Sequence, residues 1–104
     1  MFARNVSIHL KSNMFSDYTR AFEKNVLPLL RQQKGFRDEI TLSNPGSVDV
    51  IAISLWDTRA NAEAYNTNTY PEVLRTLARM IDGTPQVQTF EAVASTFHNV
   101  AVAA

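Results

Sequence analysis

Two histidines, three tyrosines and a single tryptophan are the side chains of this sequence best suited to acid–base or hydrogen-bonding chemistry. An imidazole near its ordinary pKa of about 6.5 is a natural proton acceptor at neutral pH, which makes His9 and His98 candidate bases. Asn5, Ser7 and His9 are spaced two apart, so on an extended segment they share one face and are expected to line one wall of a pocket. Their plainer reading is a polar stripe at a sheet edge or an interface. Trp56 offers an indole N–H and a large apolar surface, and its plainer reading is a core aromatic with one local partner. Tyr65 and Tyr70 flank the Asn- and Thr-rich stretch 66–69, read as a lid loop over a pocket mouth. Together these types suit a site that draws a proton from a substrate and holds the resulting anion with donors in a dry pocket.

Other chemistries find no foothold. Cysteine is absent, which removes disulfides, Cys-ligated zinc, iron–sulfur clusters and thiol nucleophiles, and permits a reducing compartment. The two histidines lie at opposite ends of the chain with no metal-ligand spacing, so no metal is expected. All three glycines fall at turns, leaving no phosphate-cradling loop and no Gly-x-Ser-x-Gly elbow. Asp38 and Glu39 are adjacent on a strand, point to opposite faces, and read as solvated edge charge. Ten basic residues balance ten acidic ones, so there is no electrostatic footprint for nucleic acid or an anionic membrane. No apolar run approaches the ~18 residues of a membrane span, and Met1 leads straight into an alternating segment instead of a signal peptide. The 104 residues are expected to form one soluble, cytoplasmic domain.

The elements that must position these residues follow from periodicity. Phe2 to Leu10 alternates, with Phe2, Val6, Ile8 and Leu10 opposed to Ala3, Asn5, Ser7 and His9. Helical spacing follows at Tyr18, Phe22, Val26, Leu29 and Leu30, capped by Asn13 or Ser16 and stopped at Gly35. Pro28 lacks a backbone donor, so this helix kinks near Lys24–Asn25 or restarts at Pro28. Phe36, Ile40 and Leu42 then oppose Arg37, Glu39 and Thr41, and the turn residues 44–47 make a hairpin with Val48 to Trp56, apolar on both faces. Asp57 or Thr58 caps a helix over 59–66; Pro71 opens another whose stripe is Val73, Leu74, Leu77, Met80 and Ile81. Val87 to Phe97 reads as a last strand, before a short alanine-rich tail, 100–104.

The order β-α-β-β-α-β, with its second helix split, is the ferredoxin-like α+β arrangement: a four-stranded antiparallel sheet with helices on one face. Val48 to Trp56 carries Val50, Ala52 and Trp56 on one side and Ile51, Ile53 and Leu55 on the other. The last strand carries Val87, Val93 and Phe97 against Phe90, Ala92 and Ala94. The uncovered face is expected to meet a second copy of the chain in an isologous homodimer.

Several pieces in order, Val26-Leu27-Pro28-Leu29-Leu30 before Gly35-Phe36, Ile53-Ser54-Leu55-Trp56-Asp57 before Ala62-Glu63-Ala64-Tyr65, Tyr70-Pro71-Glu72-Val73-Leu74, Thr89-Phe90-Glu91 and Ser95-Thr96-Phe97-His98, resemble the antibiotic biosynthesis monooxygenase family of dimeric α+β barrels. The resemblance spans essentially the whole chain. It implies a homodimer with a pocket in each subunit between sheet and helices. It also implies oxidation of a small aromatic, quinol or polyketide-type substrate by molecular oxygen, with no cofactor. On that reading His9 and Asn5 are the catalytic candidates and Trp56, Tyr65, Tyr70, Ser7 and His98 bind substrate. The haem-degrading branch fits poorly: Asn5 can stand for its strand Asn, but Tyr65 sits near its Trp position and Leu74 or Arg75 near its His. A dimeric ligand-binding or stress-associated protein without monooxygenase activity is the alternative.

Overall fold

The computed structural model describes residues 1–100; the end of the tail, residues 101–104, lies outside the described residues. The first alternating segment forms β1 (Phe2–His9), followed by α1 (Phe15–Ala21), a π-helical turn at Phe22–Val26, α2 (Leu27–Arg31), β2 (Phe36–Ser43), β3 (Asp49–Trp56), α3 (Arg59–Asn68), α4 (Tyr70–Leu77), a 3₁₀ turn at Ala78–Met80 and β4 (Gln86–Glu91). The strands form one sheet in the order β2-β3-β1-β4, antiparallel at every pairing. This is the ferredoxin-like α+β fold read from the periodicity.

Pro28 explains the π turn. The Leu27 N–H bonds to the Phe22 carbonyl, five residues back, and Pro28 sits in the first turn of α2, where its missing donor leaves no gap in the ladder. The wider turn lets Phe22, Val26 and Leu30 all reach the core, where they meet Val6, Ile8 and Val50 from the sheet and Val73 and Leu77 from α4.

Three boundaries depart from the expected ones. The Asn- and Thr-rich stretch is not a loop, because α3 continues to Asn68 and only Thr69 breaks the helix (φ −123°, ψ −38°). Thr58 Oγ1 caps its start by accepting from Asn61 N at 3.1 Å, and Pro71 starts α4 at once, so no lid segment exists there. The last strand ends at Glu91 instead of Phe97, since its partner β1 begins at Phe2, opposite Glu91, and nothing remains to pair with. Beyond it, Ala92 N still donates to Met1 O, and the chain then crosses to the opposite edge of the sheet, where the His98 ring meets the Asp38 carboxylate.

The third departure is a β-bulge between Phe36 and Asp38. Phe36 pairs with Trp56 and packs edge-on against its ring, with centroids 5.5 Å apart, on the helix side of the sheet. After the extra residue, Glu39 pairs with Ser54 and Thr41 with Ala52 on that same side, while Asp38, Ile40 and Leu42 point away. Phe36 and Ile40 therefore lie on opposite faces. Gly35 ahead of the bulge needs its glycine: its φ is +78°, and a Cβ there would lie 2.1 Å from the Asn61 side chain.

Candidate active site

Arg4 occupies the buried register of β1, between Phe2 and Val6, and is only 3% exposed. Its Nη2 donates to Asn66 Oδ1 at 2.8 Å, and its guanidinium carbon lies 4.5 Å from the Tyr70 ring centre and 5.0 Å from that of Tyr65. Among the described residues no carboxylate pairs with it. Burial lowers its pKa, with Tyr65 and Tyr70 acting in the opposite direction. A guanidinium remains charged under any ordinary condition, so this is a desolvated cation balanced by two aromatic faces and one amide. Removing a charge from water costs several kcal/mol unless a partner offsets it, about the scale of a domain's net stability, so an unpaired buried Arg marks a place where an anion belongs.

The space that anion would occupy is a half-open cavity between the sheet and the helices. Arg4, Ser54 and Glu39 supply its polar floor; Val6, Ile8, Phe22 and Val73 supply apolar wall; Tyr18, Tyr65 and Tyr70 close it from the helices. Its free volume is about 40 Å³. The Tyr18 and Tyr70 hydroxyls are buried with no hydrogen-bond partner. Burial raises the pKa of all three tyrosines, that of Tyr65 to about 12, so each phenol stays a neutral donor at physiological pH. The cavity therefore holds a cation and two unused O–H donors, an arrangement that stabilises negative charge on a ligand oxygen.

Only part of the expected site is brought together here. Tyr65 and Tyr70 both line the cavity. Trp56 stands behind them, fully buried, with its Nε1 donating to Ser54 Oγ at 2.9 Å and its ring 5.0 Å from that of Tyr65. Asn5, Ser7 and His9 pair with Ile53, Ile51 and Asp49 on the face that looks away from the helices, so none of them lines this cavity. His9 Nδ1 instead meets Asp49 Oδ1 at 2.7 Å, on the surface. His98, held by Asp38 at the far edge, is also outside. The sequence reading left Glu39 among solvated edge charges and Tyr18 in a helical apolar stripe, and it committed neither Arg4 nor Ser54 to the site. Arg4 did carry a signal, as the single charge in the apolar register of β1. Glu39 carried none, because only the bulge turns it inward.

No family model matches the sequence, and no curated protein does. Solved structures do. The NE2512 protein of unknown function from Nitrosomonas europaea superposes with a TM-score of 0.78 at 16% identity, covering 94% of each chain. SnoaB, a cofactor-independent oxygenase from Streptomyces nogalater, gives 0.76 at 11% identity over 93% of this chain and 97% of its own. The fold is that of the antibiotic biosynthesis monooxygenases. A further structure bearing that family name matches at 0.71 and 14% identity, over 90% of this chain and the whole of the other. Among the described residues, no three His, Cys, Asp or Glu side chains group as metal ligands do, and no helix is long and apolar enough to cross a membrane.

Proposed function

We propose that this chain is a cofactor-independent monooxygenase-like enzyme that oxidises a small aromatic, quinol or polyketide-type substrate with molecular oxygen. The observation that carries the reading is Arg4: a buried cation without an ionic partner, facing an apolar cavity that also holds two unused tyrosine hydroxyls. A phenol or an enolisable ketone reduces oxygen only from its anion. Arg4, Tyr18 and Tyr70 stabilise that anion, and the apolar walls keep out the water that would weaken them. In the overall change one oxygen atom enters the product and the other leaves as water, with every electron supplied by the substrate. The fold shared with SnoaB supports the assignment as an analogy.

The unit is a soluble, cytoplasmic homodimer. Ile40, Leu42, Ile51 and Phe90 are exposed on the open face of the sheet and together make an apolar surface suited to a second copy. Asn5, Ser7 and His9 then belong to that interface and not to the chemistry.

Oxygen uptake by metal-stripped protein with a panel of hydroquinones, anthrones and flavonols tests the activity. Turnover that disappears in Arg4→Met supports the reading; no uptake with any of them removes it. The alternative, a ligand-binding protein without turnover, meets the same limit on space. The cavity, at about 40 Å³, has room for a few waters and not for an aromatic ring, so a substrate must displace the half-buried Tyr70 and Leu74 at its rim. Saturable binding without oxygen uptake would establish that alternative.

A further inference from the structure

Glu39 reaches the cavity through the bulge in β2, and its surroundings differ from those of an ordinary surface carboxylate. It lines the cavity on one side and, on the other, a groove beside α1 that opens to solvent between Tyr18, Phe22 and Thr41. In the sheet, Glu39 pairs with Ser54 and Ser54 with Arg4, so the three form one row across β2, β3 and β1 on the helix side. The outer two are separated by two strand spacings, about 10 Å between Cα atoms. One carboxylate oxygen, Oε1, accepts from Thr41 Oγ1 at 2.5 Å, and no cation pairs with the group among the described residues. Burial raises its pKa above the ordinary carboxylate value, which makes it a better proton acceptor near neutrality.

We propose that Glu39 is the general base of this site, taking from the substrate the proton whose departure leaves the anion that Arg4 receives. This rests on reading the cavity as the substrate site. In the step, a C–H or O–H bond of the substrate breaks and its electron pair stays behind, delocalised onto the oxygen that faces Arg4. The proton goes to the Glu39 carboxylate and leaves through the groove to water. Ser54, between the two and already accepting from Trp56, retains its own O–H for the substrate or for Glu39. Bulges beside active sites commonly re-aim a side chain, and here removing the extra residue would turn Glu39 out of the cavity.

Proton abstraction can be observed without oxidation. Wild-type protein is mixed under argon, in deuterated buffer, with 2-indanone or an anthrone, and loss of the acidic C–H signal is followed by NMR. The wild type is expected to accelerate exchange, and Glu39→Gln to slow it about 10²-fold or more, the usual contribution of a positioned base. Glu39→Asp, which retracts the carboxylate, is expected to lie between them. The rate should fall as pH drops through the raised pKa of Glu39, and that acid limb should vanish in Glu39→Gln. Circular dichroism of each variant shows that it is folded. Exchange unchanged in folded Glu39→Gln, or no exchange by the wild type, overturns the proposal. Oxygen uptake that survives Glu39→Gln removes the base and leaves the monooxygenase reading standing. Glu39-dependent exchange without oxygen uptake does the reverse.

Discussion

Along β1, Arg4, Val6 and Ile8 look toward the helices and are buried, whereas Asn5, Ser7 and His9 look away and Ser7 and His9 stand in solvent. The same division runs through the neighbouring strands. On the helix side Glu39, Ser54 and Arg4 form a polar row under three tyrosines; on the other side Ile40, Ile53 and Asn5 share a row that ends at Gln88. The face rich in residues that look catalytic is the outer one, and the face that reads as core contains the cavity. Polar residues on an exposed face are cheap to keep in water, so their presence says little. A charge in a dry row is expensive, and that is why Arg4 is the more informative residue.

The contrast is broken most severely by placing charge on the outer face. Ile51→Arg, beside Leu42 in the exposed apolar patch, is expected to weaken self-association by at least about 10³-fold, since a buried unpaired charge costs several kcal/mol. Light scattering should then give the 11.7 kDa of one chain instead of twice that mass, with circular dichroism unchanged. A wild type that is already monomeric at micromolar concentration would remove the dimer.

On the inner face, Arg4→Met should lower turnover by about 10²–10³-fold, the effect of deleting one donor to a developing oxyanion. Its melting temperature should stay level or rise, because an apolar side chain of similar length relieves the desolvation of an unpaired guanidinium. A large drop in stability would recast Arg4 as a structural residue held by Asn66 and the two rings.

Smaller effects sharpen the same contrast. Tyr18→Phe removes a buried hydroxyl that has no partner, so the empty protein should gain about 1 kcal/mol in urea unfolding while ligand affinity falls several-fold. Alkali should act through the same tyrosines. Their folded pKa values lie above the ordinary 10.0, and that of Tyr65 is about 12, so the unfolded chain loses its phenol protons first. Their contribution to stability should be constant below pH 10 and decline as pH rises from 10 toward 12, which unfolding at stepped alkaline pH would show. The smallest effect belongs to the outer face: His9→Ala is expected to change turnover less than twofold, and a tenfold loss would bring β1's outer stripe back into the chemistry.

Much of this architecture could be read from periodicity. The order of strands and helices, the kinked first helix and the core roles of Trp56 and Val73 rest on local patterns that tertiary structure did not override. The site was harder to read. Asn5 and His9 were placed in the pocket by their types, although the alternation that made Val6 and Ile8 core already assigned them to the other side. The lid failed because Thr58 and Pro71 supply helix starts strong enough to carry Asn and Thr along in α3. Glu39 was beyond reach, since a bulge is a tertiary accommodation, here anchored by Phe36 against Trp56, and alternation counted from Phe36 assigns every later residue of β2 to the wrong side.

The same bulge has a genetic meaning. Losing the single codon for Arg37 would not merely shorten β2; it would exchange its two faces, turning Ile40 and Leu42 inward and Glu39 and Thr41 outward. One small deletion would thereby damage the cavity and the apolar outer surface together, although neither contains Arg37. Substitutions at this exposed position should be tolerated and deletions should not, so the place in the chain is under stricter selection than the residue that fills it.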